Sequence, residues 1–204
     1  MSKKTIVWLA VATALVFIGA IIFVSVMMGL DWDFTMLSTA QYETNEYIID
    51  DNYRHITIAT DTANVAFVPS DTATTTVVCY ERKHVAHTVT VTEDMLRIET
   101  IDTRRWYEHI GIFFDTTSVT VYMPRGEYGV LSVDTDTGDV AIPKEFAFES
   151  VDVDVDTGDV TNAASASAGM AIRTDTGDIA VRTVSAGSIT LSTATGRVTA
   201  ADVD

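Results

Sequence analysis

A single cysteine, Cys79, in a chain of 204 residues leaves no intramolecular disulfide, so an exported domain of this sequence must be held by packing and backbone pairing. Nothing flanking Cys79 points to a lowered thiol pKa, and its place in the strand-like run 75–80 reads as a small buried hydrophobe. Ser165, Ser167, Ser185 and Ser188 lack a G-x-S-x-G elbow, which argues against a serine hydrolase. His84 and His87 form an H-x-x-H pair, but residues three apart on a strand face opposite sides, so only a turn would let them share a metal. His55 and His109 stand alone. Basic charge is scarce too: 13 Lys and Arg face 29 Asp and Glu, for a net charge of −16. Nucleic acid and anionic lipid headgroups are poor partners for such a chain, whereas cations, basic polymers and basic protein patches suit it.

Charge is missing altogether between residues 5 and 30, where there is no Asp, Glu, Lys, Arg, His, Asn or Gln. As a helix rising about 1.5 Å per residue, this run reaches roughly 39 Å, enough to span a bilayer with some tilt. A cleaved signal peptide has an apolar core of only about 7 to 15 residues, so the length favours an uncleaved anchor. Lys3 and Lys4 precede the run, and the next basic residue is Arg54, beyond six acidic ones. The positive-inside rule then places residues 1–4 in the cytoplasm as a stub and everything after the anchor outside the cell. Residues 31–52 read as an acidic juxtamembrane linker, and the remainder has room for one domain.

That remainder, 53–204, is dominated by repetition. Four segments align without gaps: VDTDTGDVAI from Val133, VDVDTGDVTN from Val153, IRTDTGDIAV from Ile172 and LSTATGRVTA from Leu191. Their glycines are Gly138, Gly158, Gly177 and Gly196, and a weaker copy, IATDTANVAF from Ile58, carries Ala63 at the glycine position. Val133, Thr135, Val140 and Ile142 fall on one face and Asp134, Asp136 and Asp139 on the other, which is strand periodicity broken by a turn. Glycine permits the backbone of a tight corner, and Thr and Asp bond neighbouring backbone groups there. A unit of about 20 residues cannot bury its own apolar face, so copies must stack. The expected fold is all-β, a β-solenoid after one transmembrane helix. Its regular repeats occupy 131–204, and an irregular N-terminal cap occupies 53–130 with strands HITIAT, NVAFVP, TTTVVCY, HTVTVT, MLRIET and SVTVYMP. Where the sequence stops at Ala-Asp-Val-Asp a further strand begins without a polar cap, so further repeats or another chain are expected there.

Together these features resemble the bacterial putative adhesin family, membrane-anchored β-strand-repeat proteins that include the LiaG-like envelope-stress proteins. The match rests on SVTVYMP followed by LSVDTDTGDV at 131–140, on RRWYEHIGIFF at 104–114, and on the serial T-G-D turns. The resemblance implies an extracytoplasmic β-solenoid and brings no catalytic residues with it.

Two groups of residues are candidates for binding. Stacking in register puts Asp136, Asp156 and Asp175 in one column, Asp139, Asp159 and Asp178 in a second, and Asp134 and Asp154 beside Arg173 in a third. Carboxylates about 4.8 Å apart repel, and calcium, which favours six to eight oxygen ligands, would relieve that repulsion. The competing reading is that each Asp caps its own turn and faces screened solvent. The second group is Arg104, Arg105, Trp106, Tyr107 and His109, a basic and aromatic segment in an acidic chain, suited to a cell-wall glycan, a peptide or an envelope protein partner. Its competing reading is a hairpin folded back onto the repeats. No cofactor other than calcium is implied. The sequence therefore points to a non-enzymatic cell-envelope protein that presents a β-repeat surface for binding or adhesion. An accessory role in envelope-stress signalling is the alternative, and a polysaccharide-active β-helix with Asp134, Asp154 and Arg173 as its charges is a remote one.

Overall fold

A computed structural model describes residues 2–32, 41–105 and 116–204, comprising an N-terminal helix and a separate β unit. The helix α1 spans Lys3–Gly29, and the Ser2 hydroxyl caps it by accepting the Thr5 amide at 3.2 Å. Trp8, Leu15, Val16, Phe17 and Ile21 are all exposed, so the helix is apolar on every side and has no polar face to turn to water. One such helix fits a single-pass membrane anchor or a signal sequence.

The β unit is all-β. Its first strand, β1 (Tyr42–Ile49), lies inside the stretch read from sequence as a linker. It pairs antiparallel with β4 (Thr75–Arg82) along its whole length, from Tyr42 opposite Arg82 to Ile49 opposite Thr75. Its acidic residues hid it, because they occupy an outer strand whose Tyr47 and Ile49 pack against the core. The six runs read as strands in the irregular half are all strands: β2 (His55–Thr62), β3 (Asn64–Ser70), β4, β5 (Val85–Thr92), β6 (Met95–Asp102) and β7 (Ser118–Pro124). The repeats supply β8 (Gly126–Thr137), β9 (Val140–Ile142), β10 (Phe146–Thr157), β11 (Val160–Asn162), β12 (Ser165–Thr176), β13 (Ile179–Val184), β14 (Ile189–Thr195) and β15 (Val198–Val203).

The fifteen strands among the described residues belong to one sheet, in the order β14-β12-β10-β8-β2-β6-β5-β4-β7-β3-β9-β11-β13-β15, with β1 added beside β4. The sheet bends back on itself in a nearly closed form, because every T-G-D corner carries the chain from one limb to the other. Val133 pairs in parallel with Val153, Val153 with Ile172, and Ile172 with Leu191. On the opposite limb Val140, Val160, Ile179 and Val198 pair in the same way. Alternation thus turns the Val and Ile columns inward and the Asp columns outward.

The corners explain the recurring glycine. Gly138, Gly158, Gly177 and Gly196 hold φ between +150° and +156°. Each of the first three donates its N–H to the preceding threonine of the next copy, Thr157, Thr176 or Thr195, at 2.9 Å. Ala63 occupies the same place in the weak copy and donates in the same way to Thr137 at 2.9 Å, while the strand after it leans on β7 and the Asn64 amide donates to the Thr117 carbonyl.

The irregular half closes one end. β6 runs parallel to β2 and β7 parallel to β3, while β4 and β5 cross between the limbs, joined to each other only at Arg82 and Val85. Inward-facing Cys79, Glu81, Val85 and His87 therefore come together beneath that crossing.

Candidate functional site

A concavity with polar and aromatic walls lies along the starts of β8, β10 and β12. It is a groove of about 660 Å³ whose lining includes Arg54, Glu127, Tyr128, Phe148, Glu149 and Ser167. Tyr128 is fixed from several sides. Its ring stacks on Tyr53 at 6.1 Å between centroids and lies 6.0 Å from Phe148, and its hydroxyl donates to the Pro124 carbonyl at 2.7 Å. Burial pushes its phenol up to about 12, so it is a neutral hydroxyl across the physiological range. Arg54 reaches Glu149 at 3.2 Å across the groove, with both side chains about half exposed. The strand register slips beside Glu149, which faces both Ser167 and Ala168. Such a bulge re-aims side chains at the sheet surface. The groove combines an aromatic wall, a bridged ion pair and hydroxyls, without a nucleophile paired to a base.

Sequence periodicity could not announce this groove, since its residues come from separate copies and from the strand before them. The paired positions Glu127, Ala147 and Ser165 carry three different residue types, so no recurrence along the sequence marked the groove.

The aspartate columns form as the register demands. Asp134 lies opposite Asp154, which lies opposite Arg173 and accepts its guanidinium at 3.0 Å. The second column has a backbone task. The Asp139 carboxylate accepts the Asp159 amide at 2.9 Å, Asp159 accepts Asp178 at 2.7 Å, and Asp178 accepts Arg197 at 2.7 Å. Asn64 begins the ladder by accepting the Asp139 amide at 2.8 Å. One oxygen of each of these carboxylates is thus committed to holding adjacent corners together.

In the outer column, loss of water around Asp134 and then the Asp154, Asp136, Asp156 and Asp152 carboxylates raise its pKa. A carboxyl raised above its unfolded value favours the folded state below the unfolded pKa, and that contribution is lost as pH rises through the folded pKa. Asp134→Asn is therefore expected to raise the melting temperature slightly at neutral pH, and to leave it unchanged at pH values below the ordinary carboxylate range. Because Asp134 is solvent-exposed, the effect must also shrink with added salt. Melts at two pH values and two ionic strengths check both signs.

Of the basic and aromatic segment, Trp106, Tyr107 and His109 lie outside the described residues. Arg104 is mostly buried and clamps Asp102 through Nε and Nη2, at 2.9 and 2.6 Å, and Arg105 is exposed. His84 is exposed in the turn after β4 whereas His87 is buried, so the H-x-x-H pair does not converge.

A buried polar cluster was missed. Glu81 and His87 are almost wholly buried, and the Glu81 carboxylate accepts three N–H groups: Asn45 Nδ2 at 2.7 Å, the His87 amide at 2.6 Å and His87 Nδ1 at 2.6 Å. Cys79 lies beside them with its thiol pushed up to about 12, by burial first and by Glu81 second. The signal was present, since alternation along β4 puts Cys79 and Glu81 on the same inward face.

Several solved structures are similar to this chain to different degrees, and the first of these shares its fold. A cell adhesion protein (putative) from Clostridium sporogenes ATCC 15579 is 6% identical, with a TM-score of 0.52 over 80% of this chain and 100% of that one. A putative adhesin from Bacteroides fragilis NCTC 9343 is 14% identical, with a TM-score of 0.34 over 79% of this chain and 96% of that one. A putative lipid binding protein from Parabacteroides distasonis ATCC 8503 is 10% identical, with a TM-score of 0.29 over 79% and 98%. No curated protein matches the chain. A family model described as Toastrack DUF4097 matches residues 53–204, most of its length, and with that match the chain belongs to the Toastrack DUF4097 family.

Proposed function

We propose that this is a non-enzymatic cell-envelope protein: α1 anchors it in the membrane with its N-terminus in the cytoplasm, and the β unit, a two-limbed β-solenoid, presents a binding surface outside. The observation that carries this reading is the groove beside Tyr128. A rigid aromatic wall next to a charged pair and several hydroxyls is the composition that recognises sugar rings, whose faces are apolar and whose edges are hydroxylated. A cell-wall glycan is accordingly the ligand class, and the description of the Clostridium sporogenes relative as a cell adhesion protein accords with it. The basic segment containing Arg104, Arg105, Trp106, Tyr107 and His109 is a second contact in this reading. Calcium on Asp136, Asp156 and Asp175 is its accessory cation, whereas Asp139, Asp159 and Asp178 have only one free oxygen each to offer.

The test is binding of the full chain, in nanodiscs, to peptidoglycan fragments and arrayed glycans, with calcium or with chelator. The double variant Arg54→Ala, Glu149→Ala is expected to weaken binding about tenfold. Its melting temperature should hardly move, because an exposed ion pair contributes about 0 to 1 kcal/mol. Binding that survives the double variant, or no glycan binding under either condition, counts against the groove.

A further inference from the structure

The buried cluster under the β4–β5 crossing has more capacity than the fold requires. Glu81 is fully satisfied by its three N–H donors, yet His87 Nε2 is buried and has no hydrogen-bond partner among the described residues. An orphaned polar atom at this depth is costly, and native structures seldom keep one without a reason. Cys79 Sγ, a Glu81 carboxylate oxygen and a His87 ring nitrogen also lie within 4.8 Å of one another, all three residues being buried.

We propose that Cys79, Glu81 and His87 form a binding site for a thiophilic divalent cation of the zinc class. The donor set is one sulfur, one nitrogen and one oxygen. Zinc takes such ligands at about 2.0 to 2.3 Å, whereas calcium and magnesium need a shell of oxygens. Charge agrees with this choice: a thiolate and a carboxylate neutralise a dication, so the loaded cluster carries no net charge into the core. On binding, the Cys79 S–H gives its proton to solvent and the sulfur lone pair goes to the metal. His87 binds through the lone pair of its orphaned Nε2 and keeps its proton on Nδ1, so no proton leaves the ring; the Glu81–His87 hydrogen bond gives way as the Glu81 carboxylate turns to the metal, and one water completes four-fold coordination. Entry is through the crossing itself, where β4 and β5 share a single register pair and the turn between them, at Lys83 and His84, is exposed.

The site is independent of the groove, and it has a spectroscopic signature that a purely structural cluster lacks. The full chain in detergent, under a non-chelating reductant, is titrated with Co²⁺ and separately melted with Zn²⁺. One equivalent of cobalt should produce a near-ultraviolet thiolate-to-cobalt band, and zinc at about 100 times its Kd should raise the melting temperature by about 5–10 °C. Cys79→Ser and His87→Gln should abolish both changes. Should either variant fail to fold, as judged by its β-sheet circular dichroism, the wild-type band decides alone, because Cys79 is the only thiol in the chain. Saturating cobalt without a thiolate band overturns the proposal. So does a zinc shift that persists in Cys79→Ser, or one that calcium reproduces equally, since either places the ion on the outer aspartates.

Discussion

Gly158→Val is expected to destabilise the β unit by about 4 kcal/mol or more, or to prevent its folding. A Cβ built on Gly158 falls 2.6 Å from the Gly138 carbonyl carbon and closer still to its oxygen, and φ is +156°. Those atoms are backbone and cannot swing aside, because the Gly138 amide is itself held by Thr157. The same clash repeats up the column, with Gly177 over Gly158 and Gly196 over Gly177. Gly126→Ala is the control: a Cβ there meets nothing nearer than 3.9 Å, so its melting temperature should stay close to that of the wild type. Chemical denaturation of the two variants side by side separates a corner-specific clash from a general intolerance of glycine replacement, and equal losses would refute the close-approach argument.

Glu81→Ala should cost about 3–5 kcal/mol, a melting-temperature drop of roughly 6–20 °C. The carboxylate joins three strands, since Asn45 lies on β1, Glu81 on β4 and His87 on β5. Its removal strands the His87 backbone N–H and the His87 ring in the core, each losing its acceptor where water cannot easily replace it, and unties the part-buried Asn45 amide as well. Glu81→Gln is the sharper variant. It keeps an oxygen for Asn45 but turns an N–H₂ group towards the two His87 donors, so it should lose most of what alanine loses. A glutamine variant as stable as the wild type would show that donor satisfaction is not what Glu81 contributes. Both measurements are made with chelator present, so that they report the cluster's own hydrogen bonds.

The regular part of the fold was legible because its physics is local and repeated. Val133, Val153, Ile172 and Leu191 announce an inward column by recurrence, and T-G-D announces a corner that only a residue without a side chain can stack. Even the decayed copy was readable. Ala63 replaces glycine because it is the lowest corner of the column, with the β7 strand rather than another corner beside its successor. What stayed hidden depends on contacts far apart in sequence. β1 looked like linker because Glu43 and Glu46 are charged and exposed, and its partners lie 26 to 40 residues away. Glu81 and His87 went unnoticed as a pair because periodicity marks inward positions by apolar residues, and here the inward residues are charged or polar. The groove is likewise a product of register: Tyr128, Phe148 and Arg54 meet only once β8, β10 and the residues before β2 have been aligned.

The side-chain ladder from Asn64 through Asp139, Asp159 and Asp178 to Arg197 has a consequence for how such a protein changes length. Every rung offers the next an identical acceptor and receives an identical donor, so a whole copy can be duplicated or deleted between equivalent aspartates and the severed ends rejoin the same hydrogen bond. Each duplication lengthens the stack by about 4.8 Å, the spacing of neighbouring strands. Gain and loss of modules are thereby decoupled from the design of the core, whereas adding a single residue between an inward valine and its glycine would break the ladder at once.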